Sequence, residues 1–418
     1  MSSLIIRPAG PLYGAVRISG SKNAALPILA ATLLSEKPSV IRDVPPLSDT
    51  ANMLSLLKKL GSRVQYTAKD SLVITNDSIN TPEAEYEDTG RLRASFLIAG
   101  PLLARYQKCR IALPGGCQIG SRPIDLHLKG FSALGADVSL NHGIVELSAP
   151  RLYGTNIYLD FPSVGATENI MMAATLATGQ TIIENAAVEP EITDLANFLN
   201  RMGAEVRGAG TDTVKISGVP FLSGSTHTII PDRIEAGTFM VAAAISGGRI
   251  KLENVVPEHL KPLSAKMREM GISVLESDTS IQTEAAEELF PTDIKTLPFP
   301  GFPTDMQSQL CALMSVSRGT SIITETVFEN RFMHIEELKR MGADIKLAGR
   351  TAIVKGKERL CGTTVTATDL RAGAALVLAG LSAEGETRIQ NAEHIFRGYA
   401  NFEEKLRALG ADIEKAPI

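Results

Sequence analysis

Apolar positions recur along this chain in two alternating registers. Segments such as "PLSDTANMLSLLKKLG" and "EPEITDLANFLNRMG" space them three and four apart, the pattern of a helix with one buried face. Others, "SKNAALPILAATLLS", "GATENIMMAATLATG" and "TDLRAGAALVLAGLSAEG", are apolar nearly all round and rich in Ala, Gly and Ser. That composition predicts a helix buried on every side and packed closely against its neighbours. The chain has six segments of this kind, and a short run follows each, "SVIRDV", "CRIALP", "TIIENA", "RIKLENV", "SIITET" and "TRIQNA", and reads as a strand.

The pattern repeats six times. Leu/Met-Gly-small-any-Val/Ile recurs with its glycine at Gly61, Gly135, Gly203, Gly271, Gly342 and Gly410, in steps of 68 to 74 residues. Each copy follows an amphipathic helix, and the glycine suits the C′ position, where positive φ is needed. The repeat reads helix, strand, helix, strand, strand, so the fold class is α/β, with sheets backed by helices. The sixth copy stops at "LGADIEKAPI", and its missing tail has a counterpart at the other end of the chain. There "LIIRPAGPLYGAVRISGSKNAA" parallels "GIVELSAPRLYGTNIYLDFPSVGATEN". Residues 1–20 are therefore expected to complete the sixth repeat. Two domains of three repeats follow, one from 1–20 plus 231–418 and one from 21–230. A double-strand hinge near 20–22 and 228–231 would join them. The cleft between them is the expected site.

Composition narrows the function. A chain of 418 residues suits two large domains, and 44% hydrophobic with 21% charged residues describes a globular protein. The net charge of −4 gives no electrostatic case for nucleic acid or an anionic membrane. Any anionic ligand must be held by local Arg and Lys clusters. No signal peptide and no membrane-spanning run is expected, which predicts a cytoplasmic protein. The cysteines, Cys109, Cys117, Cys311 and Cys361, form no C-x-x-C pair, and the six histidines have no metal-ligand spacing. Neither a metal nor any other cofactor is expected. "GAVRISGSKN" fails the spacing of a nucleotide-binding phosphate loop, which excludes an ATPase of that kind.

Candidate chemistry falls at equivalent points of the repeat. Lys22, Arg93, Ser163-Val164-Gly165, Asp305, and Asp369 with Arg371 all stand where the small-residue helices begin. These are either ordinary first-turn residues or anion-binding helix N-termini reinforced by added bases. Recurring bases run against the helix dipole, which favours the second reading. Asp305, after "LPFPGFPT", is either a helix N-cap or a carboxylate acting as general base. Arg331 and Arg397 each follow a strand, in repeats 5 and 6. Cys109, Cys311 and Cys361 are expected to be buried packing residues. Cys117 differs, because "LPGGCQIGSRP" surrounds it with glycines and puts Arg122 nearby. Either it too is buried, or it is an exposed thiol of lowered pKa, available as acid or nucleophile.

"SGSKNAALP", "LPGGCQIGSRPIDLHLKG", "SVGATENIMMAATLA", "FPTDMQSQ", "ENRFMHIEELKRMGA", "ATDLRAG" and "IFRGY" together resemble the UDP-N-acetylglucosamine enolpyruvyl transferases, members of the EPSP synthase superfamily. The resemblance runs over essentially the whole chain, and the loop cysteine separates it from the shikimate-pathway synthases. It implies two domains, each a threefold inside-out α/β barrel. It also implies transfer of the enolpyruvyl group of phosphoenolpyruvate to the 3′-hydroxyl of UDP-N-acetylglucosamine, with release of phosphate. The route is addition–elimination through a tetrahedral ketal, as the first committed step of peptidoglycan synthesis, and so of cell wall biogenesis. Lys22, Arg122 and Arg397 match the phosphoenolpyruvate-binding residues. Cys117 matches the proton donor, which can also carry a covalent adduct, and Asp305 the candidate base. Asp369 matches an acid implicated in the proton steps. Nucleotide-sugar contacts carry over to Asn23, Arg93, Pro123, Ile124, Asp125, Leu126, Ser163, Val164, Gly165, Asp305 and Val327. Arg331 and Arg371 match supporting residues. One departure is Phe161, where some members have a lysine, which puts a charged diphosphate contact there in doubt. The loop 111–122 is expected to act as a lid, the partners to be small molecules alone, and the protein to be a monomer. The alternatives are a 3-phosphoshikimate 1-carboxyvinyltransferase and a catalytically silent paralogue. An RNA-end-processing enzyme on a similar repeat fold is disfavoured by the acidic charge.

Overall fold

The computed structural model describes residues 2–79, 81–90, 92–115 and 124–417. They form two compact units, residues 20–115 with 124–230, and residues 2–19 with 231–417.

In the first unit the small-residue helices of repeats 1 to 3 are Lys22–Ala31, the 3₁₀ turn Arg93–Ile98 continuing into Ala99–Tyr106, and Val164–Ala174. They pack on one another, as their sequences require. Gly100 shows how closely: a Cβ there would meet the Asn169 carbonyl oxygen at 2.3 Å. The second unit is built the same way around Arg233–Ile245, Gln307–Met314 and Leu370–Ser382. Each buried Leu, Ile or Met of these helices contributes about 1.5–3 kcal/mol of transfer free energy.

Each repeat carries one four-stranded sheet. In repeat 3 the order is Asn156–Tyr158, Gln180–Glu184, Thr213–Ser217, Glu205–Arg207, with the first pair parallel and the other two antiparallel. The five other sheets follow this rule, so each adds a short parallel edge strand to the five elements read from the sequence. Alternation such as buried Thr181 and Ile183 against outward Gln180 and Glu184 puts one face of the sheet on the helices and leaves the other to solvent. Helices inside and sheets outside make each unit an inside-out α/β barrel. All six repeat glycines end their helices with φ between 88° and 111°, where a side chain would be strained.

The start of the chain does not complete repeat 6 alone. Ser2–Arg7 enters that sheet between Thr387–Gln390 and Asp412–Pro417. Tyr13–Arg17 instead pairs in parallel with Arg249–Glu253 of repeat 4, and Thr226–Thr228 pairs with Ser39–Arg42 of repeat 1. An edge strand stays with the unit that the chain is leaving, so the pairing at the crossings is exchanged. Cys361 also departs from expectation. Leu360 points inward from the strand Leu360–Cys361, and Cys361 therefore faces outward and is exposed.

Candidate active site

Within residues 20–230, Ser21 caps the helix Lys22–Ala31 by accepting the Ala24 amide at 3.3 Å, which holds Lys22 and Asn23 in the first turn. Lys22 Nζ lies 3.5 Å from Asp49 Oδ2, and both side chains are largely buried. Ser163 caps Val164–Ala174 through the Ala166 amide. Val164 and Gly165 are half-buried, as is Arg93 at the start of its 3₁₀ turn. Ile124 and Leu126 pack against the core at the start of the helix Asp125–Ala133, while Asp125 is exposed.

His127 lies among these residues. The Asn169 amide is oriented by the Gly100 N–H on its oxygen at 2.7 Å and by the Phe96 carbonyl on its nitrogen at 2.9 Å. Asn169 Nδ2 can then only donate to His127 Nδ1, at 3.1 Å. That leaves the imidazole proton on Nε2. Burial first, and then the charge of Arg93, push His127 down to about 3, so the ring is a neutral donor at pH 7. Its Cε1 and Nε2 edge lies against Gly165, where a Cβ would come within 3.2 and 3.3 Å. Glu168 and Glu191 are buried nearby along the chain, and burial followed by the charges of Glu191 and Glu189 raises Glu168 well above the usual carboxylate range.

Within residues 231–417, three predicted residues form one bonded cluster. Asp305, in the 3₁₀ turn Thr304–Met306, accepts from Arg331 Nη2 on Oδ1 at 2.8 Å and from Arg371 Nη2 on Oδ2 at 2.9 Å. Arg331 and Arg371 are buried, whereas the Asp305 side chain keeps 26% of its surface open. Arg371 stacks over the Tyr399 ring at 5.3 Å. Burial works against its charge, yet Asp305, Tyr399 and Asp232 hold its pKa above the ordinary arginine value. Asp369 caps Leu370–Ser382 through the Arg371 and Ala372 amides at 2.7 and 3.0 Å. Arg397 ends the turn Ala392–Arg397, and the next residue, Gly398, packs so tightly on that helix that a Cβ would come 2.3 Å from Leu370 Cδ1. His334 is buried beneath, pushed down to about 4 by burial and Arg331 against the opposing pull of Asp369. Val327 is half-buried in the turn after Thr320–Thr324. Cys117, Arg122 and Pro123 lie outside the described residues. No group of three or more His, Cys, Asp or Glu side chains arranged to hold a metal occurs among the described residues.

Within residues 231–417 a carboxylate lies between two guanidiniums, a pair of donors that can hold it toward a hydroxyl. Within residues 20–230 the helix starts carry Lys22 and Arg93 beside a neutral imidazole donor, which suits an anionic ligand. Residues 6–406 match the family model described as EPSP synthase (3-phosphoshikimate 1-carboxyvinyltransferase). The chain belongs to the EPSP synthase family. Within it, the chain is 57% identical over 417 residues to UDP-N-acetylglucosamine 1-carboxyvinyltransferase 2 of Carboxydothermus hydrogenoformans, covering 99% of both chains. It is 56% identical over 412 residues to UDP-N-acetylglucosamine 1-carboxyvinyltransferase 1 of Caldanaerobacter subterraneus subsp. tengcongensis, again over 99% of both. The enolpyruvyl transferase NikO from Streptomyces tendae superposes with a TM-score of 0.90 at 27% identity over both full chains. An EPSP synthase from Acinetobacter baumannii, 18% identical with a TM-score of 0.79, shares the fold.

Sequence reasoning passed over several residues that stand beside the candidates of their own unit. His127 carries no local signal, because its orienting partner Asn169 is 42 positions away. Asp49 reads as an ordinary first-turn acid of Ser48–Leu60. Tyr399 carries no local signal either, because the partners of its hydroxyl, Thr238 and Gln309 at 3.0 Å each, are far away in sequence.

Proposed function

We infer that the protein transfers the enolpyruvyl group of phosphoenolpyruvate to the 3′-hydroxyl of UDP-N-acetylglucosamine and releases phosphate. It is a transferase of peptidoglycan synthesis. Identity of 55–57% over 99% of the chain to four UDP-N-acetylglucosamine 1-carboxyvinyltransferases carries this conclusion.

In the reading we favour, the sugar hydroxyl oxygen bonds to C2 of phosphoenolpyruvate while C3 takes up a proton, giving a tetrahedral ketal. The C2–O bond to phosphate then breaks as C3 gives up a proton, and the double bond re-forms. Lys22, Arg122 and Arg397 bind the anionic groups of phosphoenolpyruvate, as a point charge and as planar donors respectively. Asp305 orients the acceptor hydroxyl and receives its proton. Cys117 supplies the proton to C3 and can carry an adduct, with Asp369 serving the proton steps. Asn23, Arg93, Pro123, Ile124, Asp125, Leu126, Ser163, Val164, Gly165 and Val327 bind the nucleotide sugar. The loop 111–122 closes as a lid and keeps water from the ketal. The protein acts in the cytoplasm as a monomer, and no helix among its described residues is long and apolar enough to cross a membrane.

Phosphate release with phosphoenolpyruvate and each acceptor tests the reading. UDP-N-acetylglucosamine should support turnover and 3-phosphoshikimate should not. Turnover with the second acceptor alone would replace the assignment, and turnover with neither would mark a silent binding protein.

A further inference from the structure

Four repeats share a device where the chain leaves the strand that follows the buried helix. Asp43, Asn185, Asn254 and Asn391 stand there with φ between 54° and 60°. Asn185 Nδ2 donates to the Leu159 carbonyl at 2.7 Å and Asn254 Nδ2 to the Ile18 carbonyl at 2.8 Å. Leu159 and Ile18 each directly follow the parallel edge strand of their sheet. The amide thus ties down the point from which the chain runs to the next buried helix.

Repeat 5 breaks this rule. It has Glu325 at that point, without the left-handed backbone, and the side chain is 1% exposed. Glu325 gathers four donors. Oε1 accepts from Thr296 Oγ1 at 2.8 Å and from the backbone amides of Val327 and Phe328 at 2.8 and 3.1 Å. Oε2 accepts from Thr304 Oγ1 at 2.9 Å. Thr296 follows the edge strand Ile294–Lys295, so it corresponds to Leu159 and Ile18. The connection beyond it is longer than in those repeats. It runs through "LPFPGFP" to Thr304, and the next residue is Asp305. One buried carboxylate therefore holds both ends of the segment leading to Asp305, together with the turn that carries Val327.

We propose that Glu325 is a positioning residue that sets the acceptor side of the site, fixing the Asp305 turn and the Val327 backbone in one register. The proposal rests on the reading above, in which Asp305 and Val327 contact the nucleotide sugar. Positional errors of about 1 Å at reacting groups cost on the order of 10²-fold in rate. Glu325 itself lies behind the reacting atoms and acts through its partners.

Three variants test this. Glu325→Ala cuts all four bonds and should lower kcat about 10²-fold and raise the KM for UDP-N-acetylglucosamine roughly tenfold, with the KM for phosphoenolpyruvate within about twofold of the parent. Glu325→Gln keeps an acceptor for the amides, and its amide nitrogen can donate to Thr304, so it should stay within about threefold. Thr304→Val breaks the Asp305 tie alone and should lower kcat roughly tenfold while leaving both KM values unchanged. Hydrogen exchange in the absence of substrate should show the Val327 and Phe328 amides losing protection in Glu325→Ala and keeping it in Thr304→Val. Folded Ala and Val variants with parental kcat and KM values would overturn the proposal, as would unchanged exchange in Glu325→Ala. An inactive parent would refute the functional reading instead, and the exchange measurement would still decide whether Glu325 orders this segment.

Discussion

Arg371 binds Asp305 through one carboxylate oxygen, with Nη2 at 2.9 Å and Nε at 3.2 Å from Oδ2. Arg331 takes the other oxygen. Two guanidiniums hold the carboxylate as an anion in one orientation, so in the reading proposed above Asp305 can orient the acceptor hydroxyl and receive its proton as the new C–O bond forms. Asp305→Ala would leave Arg371 buried without its main counter-charge. We expect a stability loss of about 3 kcal/mol. We also expect kcat to fall by at least about 10²-fold, the usual share of a general base. Urea melts and phosphate release measure the two effects, and a stable variant with parental turnover would refute both roles.

Acid should destabilise the fold through two desolvated histidines, the buried His334 and the half-buried His127. His334 is pushed down to about 4 and His127 to about 3, against 6.5 as the ordinary value. Between those values and 6.5 the unfolded chain binds protons that the folded chain refuses. Their contribution is complete above pH 6.5 and is lost as pH falls. For His334, 1% exposed, the slope approaches about 1.4 kcal/mol per pH unit. His334→Gln should therefore flatten the loss of stability between pH 6.5 and 4, as followed by melting at fixed urea. Parallel pH curves for parent and variant would contradict the shift.

The architecture was legible because six glycines, one after each amphipathic helix, repeat a local rule that needs no tertiary context. The edge strands were not. Glu83–Ala84 and Ile294–Lys295 have two residues each, too few to show any alternation. Single residues with a charge at a helix start, such as Lys22, Asp305 and Asp369, could be singled out, since the repeat supplied five comparisons for each. Cys361 was misjudged because a two-residue strand gives no hint of which side faces the sheet interior. His127 and Glu325 take their places through partners that only folding brings together, Asn169 for the first and Thr296 and Thr304 for the second. The sequence hint for Glu325, an acid where four other copies have Asn or Asp, is meaningful only once the backbone at those positions is known.

Gly165→Ala separates binding from stability. Gly165 lies in the first turn of Val164–Ala174 without a positive φ, so alanine should be neutral or stabilising by up to about 1 kcal/mol. Its Cβ, however, would come 3.2 Å from His127 Cε1, and the ring would have to give way. We expect an unchanged or raised Tm together with a several-fold rise in the KM for UDP-N-acetylglucosamine. An unaltered KM would remove Gly165 and His127 from the nucleotide-sugar surface.

The cysteines should divide into two classes under thiol labelling. Burial pushes Cys109 and Cys311 up to about 12, so neither forms appreciable thiolate at neutral pH and neither can be reached without unfolding. Cys361 is exposed. With iodoacetamide at pH 7.5, the native protein should label at Cys361 and Cys117, and at all four positions in denaturant. Labelling at Cys361 should leave turnover intact, and labelling at Cys117 should abolish it. Substitution sharpens the assignment. If Cys117 delivers a proton, Cys117→Asp should keep turnover and lose sensitivity to the reagent. Cys117→Ser should be much slower, because a serine hydroxyl is a poor acid near neutrality. Equal rates for Cys117→Ser and the parent would exclude the thiol as the acid, whatever the labelling pattern.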